Sequence, residues 1–254
     1  MTEPIVPAGS TSRSLRSRLA DGERVQGIIF ALPFTLELEI AARCGIDFFV
    51  ADLEHGPADY VHLQQHIALA AAHGCDVLVR THAHDPSGIS RVLDLGAAGL
   101  MFPHVGSRAE AEHLVALATY PPAGVRGLST STPAARYGRW SAAQTVADAR
   151  ERTLLIAMVE TVEGVEDAHG IADVDGIDAL FAGTVDLAAS MGMPGAVGDP
   201  RVRELAHSVA PQARRAGKWV LEGAAGSTNG QFVVHNGTKL LTGAFERAFG
   251  TRET

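Results

Sequence analysis

The chain of 254 residues is short of cysteine, of basic residues and of long apolar runs, and each shortage excludes a class of protein. Its two cysteines, Cys44 and Cys75, are too few for a disulfide framework or a closed cysteine zinc site. Each follows a helix-like segment beside a glycine and reads as a packing residue in a reducing cytoplasm. Lysine and arginine total 21 against 29 acidic residues, a formal net charge of −8, so the basic face that a nucleic-acid partner requires is missing. No lysine-rich block or basic amphipathic helix marks a membrane surface. No apolar run is long enough to span a bilayer, and residues 1–14 lack the apolar core of a signal peptide. No low-complexity linker divides the chain. A hydrophobic share of 46% supplies a sizeable core. Residues 1–13 read as a flexible N-terminal segment and residues 14–254 as a single domain. The expectation is a cytoplasmic protein whose partner is a small molecule.

What is present is an alternation. After a short leading helix at 14–21, apolar β-rich runs stand at 27–32, 48–53, 77–81, 99–104, 154–160, 179–183, 218–222 and 239–242. Amphipathic segments at 35–44, 60–73, 86–95, 108–119, 162–171, 201–216 and 229–236 lie between them, and a last short one at 245–249 closes the chain. Gly45, Gly74, Gly96, Gly217 and Gly237 stand where helices end. Strands that are nearly continuous apolar runs suit a parallel sheet covered on both faces. Eight of them alternating with helices in this length predict an α/β fold of the (β/α)8 TIM-barrel type. The alternative is a doubly wound open sheet. Against it, Leu32-Pro33-Phe34 follows the first strand in place of a glycine-rich phosphate fingerprint.

The run Phe48-Phe49-Val50-Ala51 ends in Asp52-Leu53-Glu54-His55-Gly56. A core strand has no use for two carboxylates and an imidazole, and burying them unpaired is costly. The pattern recurs: other apolar runs finish in Arg80, His104 and Glu160, and a further one leads through Gly183, Thr184 and Val185 to Asp186. In a barrel these residues converge on the C-terminal face, where the site lies. Glu160 and Asp186 end consecutive strands, which run about 4.8 Å apart. Either a divalent cation such as Mg2+ or Mn2+ sits between them, or each caps a helix or pairs with an arginine. Arg80 suits a carboxylate or carbonyl oxygen. His55 is of the residue type that most often moves protons in enzymes, and Asp94 either orients it or is a surface carboxylate at a helix end. The longest connection, 120–153, reads as a lid over the mouth with a helix at 141–150. Ser129 and Tyr137 are its candidate substrate donors. Ile29 and Phe30, with the lid between Arg126 and Trp140, are expected to choose the acceptor.

From residue 14 to residue 249 these motifs, in this order, resemble the HpcH/HpaI aldolase family, metal-dependent class II pyruvate aldolases of the phosphoenolpyruvate/pyruvate barrel superfamily. The matching stretches are Asp52-Leu53-Glu54-His55, Arg80 with Asp85-Pro86 and Leu93-Asp94-Leu95-Gly96-Ala97, Tyr120 to Gly127, Glu160-Thr161, and Gly183 to Leu187 with Met191-Gly192. The resemblance implies that Glu160 and Asp186 hold Mg2+, Mn2+ or Co2+ and that Arg80 touches the keto oxygen of pyruvate. It implies that His55, oriented by Asp94, is the base, acting through a water. The amides around Gly183, Thr184 and Val185 hold the carboxylate, and Asp52 and Glu54 stand behind, ordering waters. The expected reaction joins or splits a 4-hydroxy-2-oxo acid, with pyruvate and an aldehyde as partners. The expected assembly is a homo-oligomer, a hexamer built as a trimer of dimers, with C-terminal helices exchanged.

Four departures stand out. Met158 replaces a common glutamine, Thr184 and Val185 replace Pro and Ala, the C-terminal segment is short, and His104 stands where an apolar residue is usual. His104 resembles a residue of members that decarboxylate oxaloacetate and build carbon–carbon bonds from the enolate, which makes His104 a substrate-binding candidate. A non-catalytic oxo-acid-binding descendant is the third reading.

Overall fold

The computed structural model describes residues 13–31, 33, 35–82, 85–224 and 230–250. Strands β1 (Val25–Phe30), β2 (Phe48–Asp52), β3 (Asp76–Arg80), β4 (Gly99–Phe102), β5 (Leu154–Val159), β6 (Ala179–Ala182), β7 (Trp219–Gly223) and β8 (Phe232–Asn236) pair in sequence order and close into a parallel barrel. The barrel is the predicted (β/α)8 fold and excludes the open sheet. Helices α1 (Leu15–Ala20), α2 (Thr35–Arg43), α3 (Tyr60–Ala72), α4 (Pro86–Asp94), α5 (Arg108–Ala118), α6 (Ala142–Arg152), α7 (Val162–Glu166), α8 (Ala168–Ala172), α9 (Thr184–Ser190), α10 (Pro200–His207), α11 (Val209–Arg215) and α12 (Gly237–Phe249) complete it. None is long and apolar enough to cross a membrane.

Side chains alternate along each strand between the barrel interior and the helical layer. Phe48 and Val50 of β2, Leu78 of β3, Met101 of β4 and Leu154, Ile156 and Met158 of β5 fill the interior. Phe49, Ala51, Val77, Val79, Leu100, Leu155, Ala157 and Val159 pack outward under the helices. Phe48 meets the ring of Phe232 edge-on at 5.2 Å, a geometry worth about 0.5–1.5 kcal/mol beyond burial. Gly27 makes room for it, since a Cβ there would fall 2.4 Å from the Phe48 ring. Continuing the same alternation upward brings Asp52, Arg80 and Glu160 to the interior side at the strand ends. Leu15 and Leu19 of α1 close the opposite end of the barrel, buried in the same interior cluster.

The structure corrects several sequence expectations. The eighth strand is 232–236, not 239–242, and the helix read at 229–236 is that strand, although residue 229 lies outside the described residues. Asn236 instead caps α12, its side chain accepting the Lys239 amide at 2.9 Å. Gly237 opens that helix rather than ending one, and a Cβ there would meet the Phe30 ring at 2.2 Å. Gly45, Gly74, Gly96 and Gly217 do follow helices in the left-handed backbone. The segments 162–171 and 201–216 each break into two helices, and α9 was not foreseen. Phe30 packs outward beside Phe49 and does not line the mouth. Cys75 is buried, whereas Cys44 is exposed and is no core residue.

The largest correction concerns the connection 120–153. A return helix in a parallel barrel starts near the strand C-termini and finishes near their N-termini. The connection leaves the far end of α5 and re-enters at the start of β5, so both of its ends lie at the closed end. Its short 3-10 helix (Pro133–Gly138) packs on α4, and α6 packs on α1. Arg16 of α1 donates to the Arg150 and Thr153 carbonyls at 2.9 and 3.3 Å. Within one chain, the connection is therefore no lid over the barrel mouth.

Candidate active site

At the mouth, Asp52 and Arg80 are register partners on adjacent strands. Arg80 donates from Nε to Asp52 Oδ1 at 2.9 Å and from Nη2 to Oδ2 at 2.6 Å, a two-point pairing with a nearly inaccessible carboxylate. Asp52 Oδ1 also accepts the amides of Glu54 and His55 at 3.1 and 3.2 Å, which folds the chain back after β2. Gly56 completes this turn, for a Cβ there would lie 2.4 Å from the Asp52 carbonyl oxygen.

Glu54 sits at the centre. One oxygen stands 3.3 Å from Arg80 Nη1 and 3.7 Å from His55 Nε2, the other 3.3 Å from His104 Nε2. His104 adopts φ 55°, a left-handed backbone uncommon outside glycine. Its amide donates to Glu160 Oε2 at 3.2 Å, and its Nδ1 stands 3.3 Å from the same oxygen. Glu160 is 2% exposed. Its other oxygen presses against Gly183, where a Cβ would fall 2.3 Å away. Asp186 lies in the first turn of α9, just beyond Gly183. His55 is the open member of the group, with a side chain 60% exposed.

Burial raises the pKa of Glu160, and the charges of Asp186 and Glu54 add to the effect, while the His104 amide and ring pull it down. Burial works against the Arg80 guanidinium too, but its bonds to Asp52 and the charges of Asp52, Glu54 and Glu160 outweigh burial and raise its pKa. Once Arg80 has matched Asp52, Glu54, Glu160 and Asp186 still crowd one small space. Hard oxygen donors with surplus negative charge fit a divalent cation of the Mg2+ or Mn2+ kind. Among the described residues no three His, Cys, Asp or Glu side chains form a ready-made metal cage. Glu160 and Asp186 would be the carboxylates to hold such an ion. Met158 lies one step beneath Glu160 in the interior row and is 2% exposed, an apolar floor in place of a further oxygen donor.

Of the sequence candidates, Asp52, Glu54, His55, Arg80, His104, Glu160, Gly183 and Asp186 gather at the mouth. Thr184 and Val185 stand on the first turn of α9, with Val185 exposed. Three others are not brought there within one chain. Asp94 ends α4 at the closed end, where Arg126 Nη2 donates to it at 2.7 Å, so it does not orient the His55 of its own chain. Ser129 and Tyr137 belong to the connection at that same end, for the directional reason given above. There Tyr120, Arg126, Arg136, Tyr137 and Trp140 line a groove of about 530 Å³. The part of Glu54 as the group joining both histidines to Arg80, and the need for Gly56, were missed. The glycine directly after His55 was the available signal for the second.

Ionisable groups gathered at the C-terminal mouth of a closed parallel barrel are the arrangement of an enzyme site, and the sequence comparisons give its class, a carbon–carbon lyase of the class II aldolase kind. The chain belongs to the HpcH/HpaI aldolase/citrate lyase family, whose sequence model matches residues 34–246. It is 37% identical over 204 residues to a hydroxypyruvate/pyruvate aldolase of Pseudomonas aeruginosa, covering 80% of this chain and 75% of that one. It is 35% identical over 210 residues to a 4-hydroxy-2-oxovalerate aldolase of Rhodococcus jostii, covering 82% and 80%. Among solved structures it is similar to macrophomate synthase, with a TM-score of 0.80, 26% identity and coverage of 97% and 95%.

Proposed function

We propose that this enzyme splits a 4-hydroxy-2-oxo acid into pyruvate and an aldehyde, or joins them, with the pyruvate enolate as the shared intermediate. The buried Glu160, held between His104 and Gly183 and facing Asp186, is the observation that carries the reading. Glu160 and Asp186 would hold a Mg2+, Mn2+ or Co2+ ion, which would supply Lewis-acid stabilisation of developing negative charge. Arg80 is fixed by Asp52 and keeps donors of its five-hydrogen fork for the keto oxygen. His55, exposed at the entrance, moves the proton. The amides opening α9, from Gly183 to Val185, take the carboxylate. Asp52 and Glu54 hold these groups in place.

A second reading has one observation in its favour: His104 stands between Glu54 and Glu160, a polar group where simple aldolases carry an apolar one. In that reading oxaloacetate is decarboxylated and the enolate adds to another acceptor. Incubation with Mg2+ or Mn2+ and either pyruvate plus an aldehyde panel or oxaloacetate, followed by mass spectrometry, separates the two. Aldol product is expected. Decarboxylation without aldol product refutes the first reading and supports the second. Glu160→Ala and Asp186→Ala should each abolish metal-dependent turnover.

The working form is a cytoplasmic homo-oligomer, a hexamer built as a trimer of dimers. Only Gly237 of α12 is buried, while Leu240, Leu241, Phe245 and Phe249 are exposed. Such an apolar helix calls for cover. A second copy brings its closed end, with Asp94, Ser129 and the exposed Tyr137, over the mouth. Mixing His55→Ala chains with Tyr137→Phe chains should then restore activity above that of either alone. No recovery in mixed oligomers refutes the shared site.

A further inference from the structure

We propose that His104 decides which oxygen of Glu160 is offered to a divalent cation. It retains Oε2 and leaves Oε1 as the sole ligand atom. The inference rests on the reading of Glu160 and Asp186 as the metal-holding pair.

The argument starts from the backbone. A non-glycine residue in the left-handed region costs on the order of 1–3 kcal/mol and persists only where its surroundings impose it. At His104 the unusual φ of 55° accompanies two contacts to one atom. The amide donates to Glu160 Oε2 at 3.2 Å, and Nδ1 stands 3.3 Å from that same oxygen. The ring cannot turn away freely, because Nε2 faces Glu54 Oε1 at 3.3 Å. Glu54 is fixed in turn by Arg80 Nη1 at 3.3 Å, and Arg80 by its two bonds to Asp52. A continuous series of fixed groups thus runs from the end of β2 to Glu160 Oε2. Oε1 lies on the other side, against Gly183 and toward the helix that carries Asp186.

The consequence is a choice among ions. A carboxylate free to offer both oxygens suits large cations such as Ca2+, which accept irregular shells of six to eight ligands. One that offers a single oxygen suits the compact octahedral shell of Mg2+ or Mn2+. His104 is accordingly a positioning residue that acts through Glu160.

The test is Mn2+ binding to the metal-stripped enzyme without substrate, read by electron paramagnetic resonance, with Ca2+ as competitor. His104→Gly adopts the left-handed backbone without strain and keeps the amide contact, so only the ring is lost. Groups behind metal ligands typically contribute 10–100-fold to affinity, so Mn2+ should bind roughly tenfold more weakly in this variant. Ca2+ should also displace Mn2+ at severalfold lower relative concentration. His104→Asn tolerates the same backbone and keeps a donor, and it should restore affinity to near the wild-type value. Wild-type affinity and Ca2+ discrimination in H104G would overturn the inference, as would equal losses in H104G and H104N. If the wild-type enzyme binds no Mn2+, or Glu160→Gln and Asp186→Asn bind it unchanged, the metal reading itself falls and takes this inference with it. If those two variants lose Mn2+ while H104G does not, only the inference on His104 fails.

Discussion

Gly183→Ala is the sharpest perturbation the site allows. The Gly183 backbone, at φ −85° and ψ 100°, is ordinary for any residue, so the change carries no conformational strain of its own. Its effect is steric. The added Cβ would lie 2.3 Å from Glu160 Oε1, 2.7 Å from Cγ and 2.9 Å from Cδ, separations that atoms do not tolerate. Glu160 must rotate away, and in doing so it gives up the His104 amide at 3.2 Å. A hydrogen bond to a charged group is worth about 1.5–3 kcal/mol, and an off-rotamer side chain costs about 0.5–1.5 kcal/mol. A total of about 2–4.5 kcal/mol corresponds to roughly 30- to 2000-fold in cation affinity. Mn2+ titration followed by magnetic resonance measures it, and circular dichroism checks that the barrel stays folded. Gly223→Ala is the control, because a Cβ at that strand end meets nothing among the described residues within 4 Å. Mn2+ affinity within threefold of wild type in G183A, with Gly223→Ala unaffected, would refute the steric account.

Other outcomes follow from the same geometry. Asp52→Ala strands the mostly buried Arg80 without its two-point partner, and denaturant unfolding should register a loss of about 3–5 kcal/mol; a loss under about 1 kcal/mol would contradict the pairing's importance. Asp76 accepts the Leu15 amide at 2.8 Å, and burial raises its pKa against the pull of that amide and of Arg152 and Arg18. Its folded-state carboxyl therefore binds a proton at higher pH than in the unfolded chain, and its contribution to stability is lost as pH rises through the folded value. Asp76→Asn keeps an acceptor and lacks this ionisation, so its stability relative to wild type should increase from about pH 4 to about pH 7 in urea titrations. A flat or opposite trend would reverse the assignment. If the proposed oligomer is held together through the exposed α12, Phe245→Asp should lower the mass seen in light scattering while leaving the barrel's circular dichroism unchanged; an unaltered mass would take α12 out of the proposed interface.

Much of the barrel was legible because its strands are apolar runs that end in charge. Phe48 to Asp52 and Leu154 to Glu160 announce both where a strand lies and where its mouth is. The eighth strand was not legible in the same way. Phe232-Val233-Val234 and Leu240-Leu241 are both short apolar runs, and neither shows a decisive period. What separates them is tertiary: β1 offers partners to Phe232 through Asn236, and Asn236 then caps a helix. Direction was the second blind spot. Spacing revealed that 120–153 is long, but not that both its ends lie at the closed end, where Asp94, Ser129 and Tyr137 stand away from the mouth of their own chain. Asp186 was recognisable from its sequence context, although the helix that carries it was not, since α9 is only one helical segment of seven residues after a strand.

The pairing of Phe48 with the barrel floor and Asp52 with the mouth turns β2 into a ruler of five residues. Inserting or deleting one residue within it would swing Asp52 to the outer face and release Arg80, whatever the neighbouring loops did. Lengthening the loops leaves the ruler unchanged. Loop length and composition can therefore change without moving the carboxylate, while the count from floor to carboxylate is held fixed by the pleat.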